Sequence, residues 1–338
     1  DMGGGGGGDE REGLWFTRAT VLFVAFLYGT NFGCVKLLGE NMSVSLAAAA
    51  RFTLAAACLA PFLGQLRKEV VGVGLEVGFW VTLGYVVQAI GLETVEASKA
   101  AFLCALIVVV CPVLEALNGG RVTLAQWSSV ALAVLGAGFL ELGGNISPGQ
   151  GDLFALMQPV GFGVALWKCE KTQQQYPDQG GALTAIQLVC TMLVSWIWVL
   201  GDYKGLPPAE EIMAAAGNSE VATAVVWTGF ITTALTVYLQ TTSVSKLSSA
   251  EATLLISTEP IWGAGFASLL LGEQIGPNAY LGGGLIVLAC LTSIVEPDTV
   301  ENVNNAILKG AVATAALVPG GEDAFKRLAD FMNWTSGG

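Results

Sequence analysis

Histidine is absent from the 338-residue chain, and charged residues make up only 12% of it. Without histidine the chain lacks the commonest metal ligand and proton shuttle of proteins, and also the usual axial ligand of haem. The scarcity of charge excludes an ordinary soluble domain, in which about a quarter of the residues are charged. The net charge of −12 disfavours a protein that binds nucleic acid or an anionic surface.

Several motifs that carry chemistry are also missing. There is no Gly-x-x-x-x-Gly-Lys-Ser/Thr phosphate loop, which excludes ATP as a driving force, and neither His-Glu-x-x-His nor Gly-x-Ser-x-Gly occurs. The seven cysteines lie in or beside apolar stretches and form no Cys-x-x-Cys pair. We interpret them as small buried hydrophobic residues. The sequence therefore predicts a protein that is not an enzyme and that requires no metal or other cofactor.

Apolar stretches are what the sequence has in abundance, since 53% of its residues are hydrophobic. The stretches are about 20 residues long, the length at which an α-helix crosses a hydrocarbon core of about 30 Å. Within that core the backbone of each stretch must pair its own polar groups, which favours helices. We predict an all-α integral membrane protein surrounded by lipid. Its ten predicted spans are 18–38, 43–66, 74–93, 97–117, 123–142, 151–170, 180–201, 221–243, 248–271 and 277–295.

The distribution of basic residues supports this even number of spans. With ten spans, eleven lysines and arginines fall on the side that holds both termini, whereas only Lys36, Lys99 and Lys204 fall on the other. Because basic residues collect on the cytoplasmic side of membrane proteins, we expect both termini on the cytosolic side, or on the stromal side of a plastid membrane.

An internal repeat divides the spans into two sets of five. Residues 88–103 align without a gap on residues 240–255 at an offset of 152, and the break between two spans coincides at this offset. We assign residues 18–142 to the first half and residues 151–295 to the second. Since each half has an odd number of spans, the second half must enter the membrane from the opposite face, which predicts an inverted repeat.

Two tails lie outside the repeat. Residues 1–17 contain a glycine run and are predicted to be flexible. The chain begins with Asp1 and shows no basic n-region, so we expect that a targeting peptide has been removed. Residues 296–338 are predicted to leave the membrane, and their segment 323–332 has the apolar spacing of a short amphipathic helix.

Short motifs in both halves match a known family in their order and spacing. They are Tyr-Gly-Thr-Asn-Phe-Gly-Cys-Val-Lys at 28–36, Ala-Ala-Ala-Arg-Phe at 48–52, Ala-Ala-Phe-Leu at 100–103, Val-Cys-Pro at 110–112, Gly-Asp-Leu-Phe-Ala at 151–155, Ser-Thr-Glu-Pro-Ile at 257–261 and Leu-Gly-Glu at 271–273. With these motifs, residues 18–295 resemble the EamA-type drug/metabolite transporter superfamily. The chain departs from the family pattern at Tyr28, where tryptophan is commoner, and at Gln274, where a basic residue is usual.

The resemblance implies ten helices and a secondary transporter of a small organic solute that works by alternating access. It extends to plastid members of plants and algae, and so implies a plastid envelope or thylakoid location. The acidity and the long tail leave room for a second hypothesis, a structural or linker subunit of a photosystem-antenna supercomplex. Such a subunit would bind membrane-protein partners through its termini and acidic loops, and could contact chlorophyll, carotenoid or lipid.

Charged groups inside predicted spans are costly to bury and are the first candidates for function. Arg51, in the second span, either binds an anionic group of the substrate or pairs with a carboxylate and joins two helices. Glu259 precedes Pro260, and proline leaves a backbone carbonyl unpaired. Glu259 therefore either exchanges a proton during transport, satisfies that backbone or pairs with Arg51. Lys36 lies near a helix end, from which we expect it to extend to the membrane interface.

Uncharged polar residues within the spans predict a lining near the middle of the membrane. They either bind the solute or hydrogen-bond the helices to one another. Together with Arg51 and Glu259, the predicted substrate-binding residues are Asn31, Tyr85, Gln88, Tyr238 and Gln240.

Overall fold

The computed structural model describes residues 6–120, 122–142, 149–244, 255–256 and 258–292. One compact unit comprises Asp1–Val122 and Gln126–Ile294, and all contacts reported below lie within it. A second unit comprises Thr123–Ala125 and Val295–Gly338. The predicted amphipathic helix at 323–332 lies outside the described residues.

The apolar stretches form ten consecutive helical spans, which are numbered in chain order. In the first half, span 1 is Gly6–Asn41, span 2 is Val44–Leu59 continued by a 3₁₀ turn at Ala60–Gln65, span 3 is Lys68–Leu92, span 4 is Ala97–Cys104 and Ile107–Leu117, and span 5 is Leu124–Leu142. In the second half, span 6 is Gln150–Gln175, span 7 is Gly180–Asp202 preceded by a 3₁₀ turn at Pro177–Gln179, span 8 is Ser219–Val226, Trp227–Leu235 and Thr236–Val244, span 9 is Glu259–Leu271, and span 10 is Pro277–Thr292. A short helix at Ala209–Gly217, which was not predicted, joins spans 7 and 8.

The predicted all-α membrane fold is confirmed. Spans 1, 2, 3, 4, 7 and 8 are long and apolar enough to cross a membrane, and shorter apolar helices occupy Leu124–Phe139 and Pro277–Thr292. Large apolar side chains cover the outside of the bundle, among them Leu269, which is 87% exposed, and Ile197, which is 66% exposed. In water such a surface would promote association, whereas in lipid it is the expected exterior.

The two halves share a helix break at equivalent positions. In span 4 a turn at residues 105–106 separates two helices, and the second helix begins at Ile107. At an offset of 152, the helix of span 9 begins at Glu259 after a turn at Thr258. The offset found in the sequence therefore also relates these breaks in the structure.

Beside these breaks, a glycine of span 1 and a glycine of span 6 allow equivalent close contacts between neighbouring helices. A Cβ atom added to Gly29 of span 1 would lie 2.7 Å from the Cβ of Trp262, and one added to Gly163 of span 6 would lie 2.7 Å from the Cβ of Val110. Val110 and Trp262 are again 152 residues apart. Glycine is required at both points because a side chain would overlap the neighbouring helix.

Each pair of packed spans also has a counterpart in which the equivalent spans of the opposite halves pack together. Span 3 packs along span 6, and span 8 packs along span 1; span 1 contacts span 9, and span 6 contacts span 4. Spans 2 and 7 pack on each other, as do spans 4 and 9. A two-fold relation that swaps the halves accounts for all these pairs. Because each half crosses the membrane five times, the repeat is inverted.

Candidate functional site

Arg51 lies in the middle of span 2, where it is only 1% exposed. Its Nη1 donates to Oδ1 of Asn31 over 3.3 Å, and its Cζ lies 4.3 Å from the ring centre of Phe52 and 5.3 Å from that of Tyr85. Its Nη2 has no hydrogen-bond partner among the described residues, and no described carboxylate forms an ion pair with it. An unmet donor on a buried cation is costly, so it marks this position for a function.

Asn31 and Thr232 connect Arg51 across the two halves. Oδ1 of Asn31, in span 1, accepts a second hydrogen bond from Oγ1 of Thr232 over 2.9 Å. Both side chains are buried. Arg51 and Asn31 belong to the first half and Thr232 to the second, so this polar cluster lies at the interface between the halves.

Thr232 is positioned by a π-helical stretch, Trp227–Leu235, within span 8. Here the hydroxyl of Thr233 donates to the carbonyl of Thr228, five residues earlier, over 2.6 Å. A π-helical turn holds more residues than an α-helical turn and therefore changes which side chains face a neighbouring helix. It is frequent at functional sites.

Glu259 begins the helix of span 9. Its carboxylate interacts electrostatically with Tyr28, Tyr85 and Cys104. It forms no ion pair with Arg51. Of the three roles considered for Glu259, the pairing with Arg51 is therefore not what the structure shows.

Gln88 and Gln240, which are equivalent in the repeat, each make a hydrogen bond to the other half. Nε2 of Gln88 donates to Oε1 of Gln158 in span 6 over 3.0 Å, and the Tyr28 hydroxyl of span 1 donates to Oε1 of Gln240 over 2.6 Å. Nε2 of Gln158 donates onward to the carbonyl of Ala100 over 2.9 Å. Oε1 of Gln88 has no partner among the described residues.

Tyr238 is not part of this cluster, although it was predicted with the other site residues. It is 40% exposed, and its ring centre lies 5.7 Å from that of Phe62. With Gln65 and Asp178 it lines a cavity of about 170 Å³ at the end of the bundle that holds the termini. Tyr238 therefore lies beside this cavity, which none of the other predicted site residues lines.

A second cavity, of about 200 Å³, opens at the opposite end of the bundle. Lys36, Glu40 and Glu93 are among its lining residues. Arg51 lines neither of the two cavities.

Five ion pairs among the described side chains each join a residue of the first half to one of the second. Two lie at the end with the connection between spans 9 and 10, and three lie at the end that holds the termini. They are Lys36–Glu273 (3.3 Å) and Lys99–Asp152 (2.7 Å) at the first end, and Arg67–Asp178 (2.6 Å), Lys168–Glu76 (2.9 Å) and Lys171–Glu115 (3.2 Å) at the second.

Glu273 also fixes the start of span 4. Its Oε1 accepts the N–H of Ala97 over 2.7 Å, and its Oε2 accepts the N–H of Ser98 over 3.0 Å. Burial alone would raise the pKa of Glu273, but the hydrogen bonds from Ser98 and Ala97 and the charge of Lys36 outweigh burial and hold that pKa below its ordinary value. Lys36 donates to the carbonyl of Val95 as well. Lys36 is therefore bound to the protein at this end of the bundle.

Comparison with known proteins identifies the family. The sequence profile of the EamA-like transporter family matches residues 16–142 and, a second time, residues 150–295. This chain belongs to the EamA-like transporter family. An uncharacterized transporter of Archaeoglobus fulgidus is 27% identical over 291 residues, which cover 84% of this chain and 88% of that protein. The predicted resemblance and the predicted class, a membrane transporter, are confirmed.

A solved crystal structure shares the fold of this EamA-like chain. The two superpose with a TM-score of 0.52 over 81% of this chain and 96% of the other, at 14% sequence identity. Such low identity supports the fold alone. Neither this structure nor the archaeoglobal relative bears on the plastid location or on the linker-subunit hypothesis, with its chlorophyll and carotenoid contacts. Both stay hypotheses. Among the described residues no group of cysteine or carboxylate side chains is arranged to hold a metal ion.

Proposed function

We propose that the protein is a secondary transporter that moves a small organic metabolite across a membrane by alternating access. The family and the transporter relative support the general class. The observation that carries the proposal is the unpartnered Nη2 of Arg51 in a buried polar cluster between two inverted halves. In transporters built from inverted repeats, substrates bind at such an interface near the middle of the membrane.

In this proposal the central site comprises Arg51, Asn31, Tyr85, Glu259, Gln88 and Gln240. We include Tyr28, Thr232 and Gln158 because each is hydrogen-bonded to one of these residues. Tyr238 lines the path from one end. Glu259 lies close to Tyr28 and Tyr85 without an ion pair among the described residues, which supports the exchange of a proton at this carboxylate. The solute is coordinated by residues from both halves, so a movement of one half relative to the other alters the site.

The ion pairs at the two ends act as gates in this mechanism. In this mechanism the structure represents an occluded state, because ion pairs at both ends join the halves. Opening one end separates Lys36–Glu273 and Lys99–Asp152, while the three pairs at the other end stay formed. The return step reverses this pattern, since one half rocks against the other around the central site.

The orientation and the compartment follow from the same proposal. The excess of basic residues on one side supports both termini on the cytosolic or stromal face. We propose a plastid membrane as the location, on the resemblance of the sequence motifs to plastid members of plants and algae. Lipid and the small solute are the expected partners, and nucleic acid is not.

Reconstitution into liposomes tests the proposal. The purified protein is expected to catalyse saturable uptake of one class of small organic solute without ATP. Arg51→Ala and Glu259→Gln are expected to abolish net uptake while they keep the elution volume and the melting temperature of the wild type. Lys68→Gln, a change at an exposed basic residue, serves as the control and should transport normally. A well-folded protein that moves no solute contradicts the proposal, and normal transport by both site variants removes their residues from the site.

A further inference from the structure

We infer that the solute is a small monocarboxylate whose carboxylate group is bound by the free edge of the Arg51 guanidinium. This inference rests on the proposed function, because it names the class of solute that the central site accepts. It specifies the carboxylate group of the solute and does not specify the rest of the solute molecule.

The surroundings of Arg51 leave one of its nitrogens without a partner. The rings of Phe52 and Tyr85 lie 4.3 Å and 5.3 Å from its Cζ, and their centres are 4.8 Å apart, so both rings pack on the same side of the guanidinium. Asn31 occupies part of its edge through Nη1. Nη2 keeps its donors unmet, and the side chain is 1% exposed. A guanidinium edge is the group that binds a planar carboxylate through parallel hydrogen bonds.

A structural role for Arg51 explains this arrangement less well. A residue that only joined spans 1 and 2 would use its second nitrogen in that contact, because an unmet buried donor costs stability. The neighbouring polar groups are already engaged with one another: Oδ1 of Asn31 accepts from both Arg51 and Thr232. The free donor therefore points to a ligand that is bound from outside the protein.

The charges around the site favour one negative charge on the solute. Arg51 is the one cation among the described residues of the central cluster, since Lys36 and Lys99 form ion pairs at the end of the bundle. Glu259 interacts with Tyr85, as Arg51 does. A phosphate dianion would bring two negative charges to a single cation beside a carboxylate. A monocarboxylate brings one, which Arg51 balances when Glu259 carries its exchanged proton.

Matched acids and amides test the inference directly. Propionate and benzoate, with propionamide and benzamide as neutral counterparts and inorganic phosphate as the dianionic probe, are added to the detergent-purified protein. The acids are expected to raise the melting temperature of the protein in a saturable manner. They are also expected to compete with the transported solute for uptake into liposomes. The amides and phosphate are expected to do neither.

Variants assign the effect to Arg51. Arg51→Gln is expected to weaken the binding of the acids by about 100-fold, and Arg51→Lys by about 10-fold, because lysine keeps the charge but loses the planar edge. Asn31→Asp keeps Arg51 and supplies an internal carboxylate, so it should also abolish binding, and it serves if Arg51→Gln does not fold. Lys68→Gln controls for the loss of an exposed charge.

The outcomes separate this inference from the proposed function. Saturable transport of a neutral or cationic solute, with no effect of the acids, overturns the inference and leaves the transporter standing. Preference for phosphate overturns the monocarboxylate assignment. Equal binding of the acids by wild type and Arg51→Gln also overturns it. If the folded protein transports no solute of any class, the result contradicts the proposed function itself, on which the inference depends.

Discussion

At the scale of single residues, Glu259 lies close to Tyr28, Tyr85 and Cys104 and forms no described ion pair. If this carboxylate carries the coupled proton, Glu259→Gln removes net uptake but leaves the exchange of labelled for unlabelled solute, since exchange moves no net proton. Uptake and exchange are measured in the same liposomes. Loss of both activities in a folded variant, or of neither, contradicts a role in coupling.

Two glycines of span 9 provide a matched test of helix packing. A Cβ atom at Gly263 would lie 2.6 Å from the Cβ of Ala101, whereas a Cβ atom at Gly265 meets nothing within 4 Å. We expect Gly263→Ala to lower the free energy of unfolding by about 1–3 kcal/mol through overpacking. Gly265→Ala should be neutral or should add up to about 1 kcal/mol, because alanine favours the helix. Melting temperatures in detergent compare the two, and equal effects would show that the contact at Gly263 is not tight.

The central residues that the sequence identified are those whose chemistry is rare inside a span. Arg51 and Glu259 are costly to bury, and Gln88 and Gln240 coincide in the repeat, so all four could be found without coordinates. Thr232 could not, because threonine is ordinary in an apolar helix and its contact with Asn31 depends on the packing of span 8 on span 1. Polarity alone likewise could not show that Tyr238 lies towards one end of the bundle.

At the scale of helices and connections, Glu273 joins span 1, span 4 and the connection between spans 9 and 10. Its lowered pKa means that its stabilising contribution is complete at neutral pH and is lost as the pH falls through the lowered value. We expect Glu273→Gln to lower the free energy of unfolding at pH 7 by about 1–3 kcal/mol. The difference from wild type should shrink as the pH falls below about 4, the ordinary range of a glutamate.

The control for this experiment is the exposed pair at the opposite end of the bundle. Arg67 and Asp178 are each 52% exposed, so Asp178→Asn should cost less than about 1 kcal/mol at pH 7. Melting temperatures of the three proteins between pH 3 and pH 8 give the comparison. A constant difference between wild type and Glu273→Gln over that range would contradict the role of the Glu273 charge.

Element boundaries could be predicted where turn residues interrupt an apolar stretch. At residues 39–41 this reasoning was wrong, because the helix of span 1 continues to Asn41. The connections after spans 4 and 6 were found in this way, at residues 118–120 and 177–180. The turn at residues 105–106 inside span 4 and the π-helical stretch Trp227–Leu235 were not. Both lie within apolar runs whose composition does not change, so only the packing of neighbouring spans determines them.

At the scale of the whole molecule, ten spans place the start of span 3 and the helix Ala209–Gly217 on opposite sides of the membrane. Lys68→Cys and Glu210→Cys, each made in a variant whose seven native cysteines are replaced, introduce exposed thiols at these two places. A membrane-impermeant maleimide should label one of them in sealed vesicles and the other only after the vesicles are opened. Labelling of both from the same side would exclude an odd number of spans between them.

The exchange of packing partners between the halves has a consequence for the direction of flow. When the two halves exchange conformations, a structure that is open to one compartment becomes an inverted structure that is open to the other. Geometry therefore gives neither shape a large intrinsic advantage. The direction of net transport is therefore set by the concentrations in the two compartments that the membrane separates.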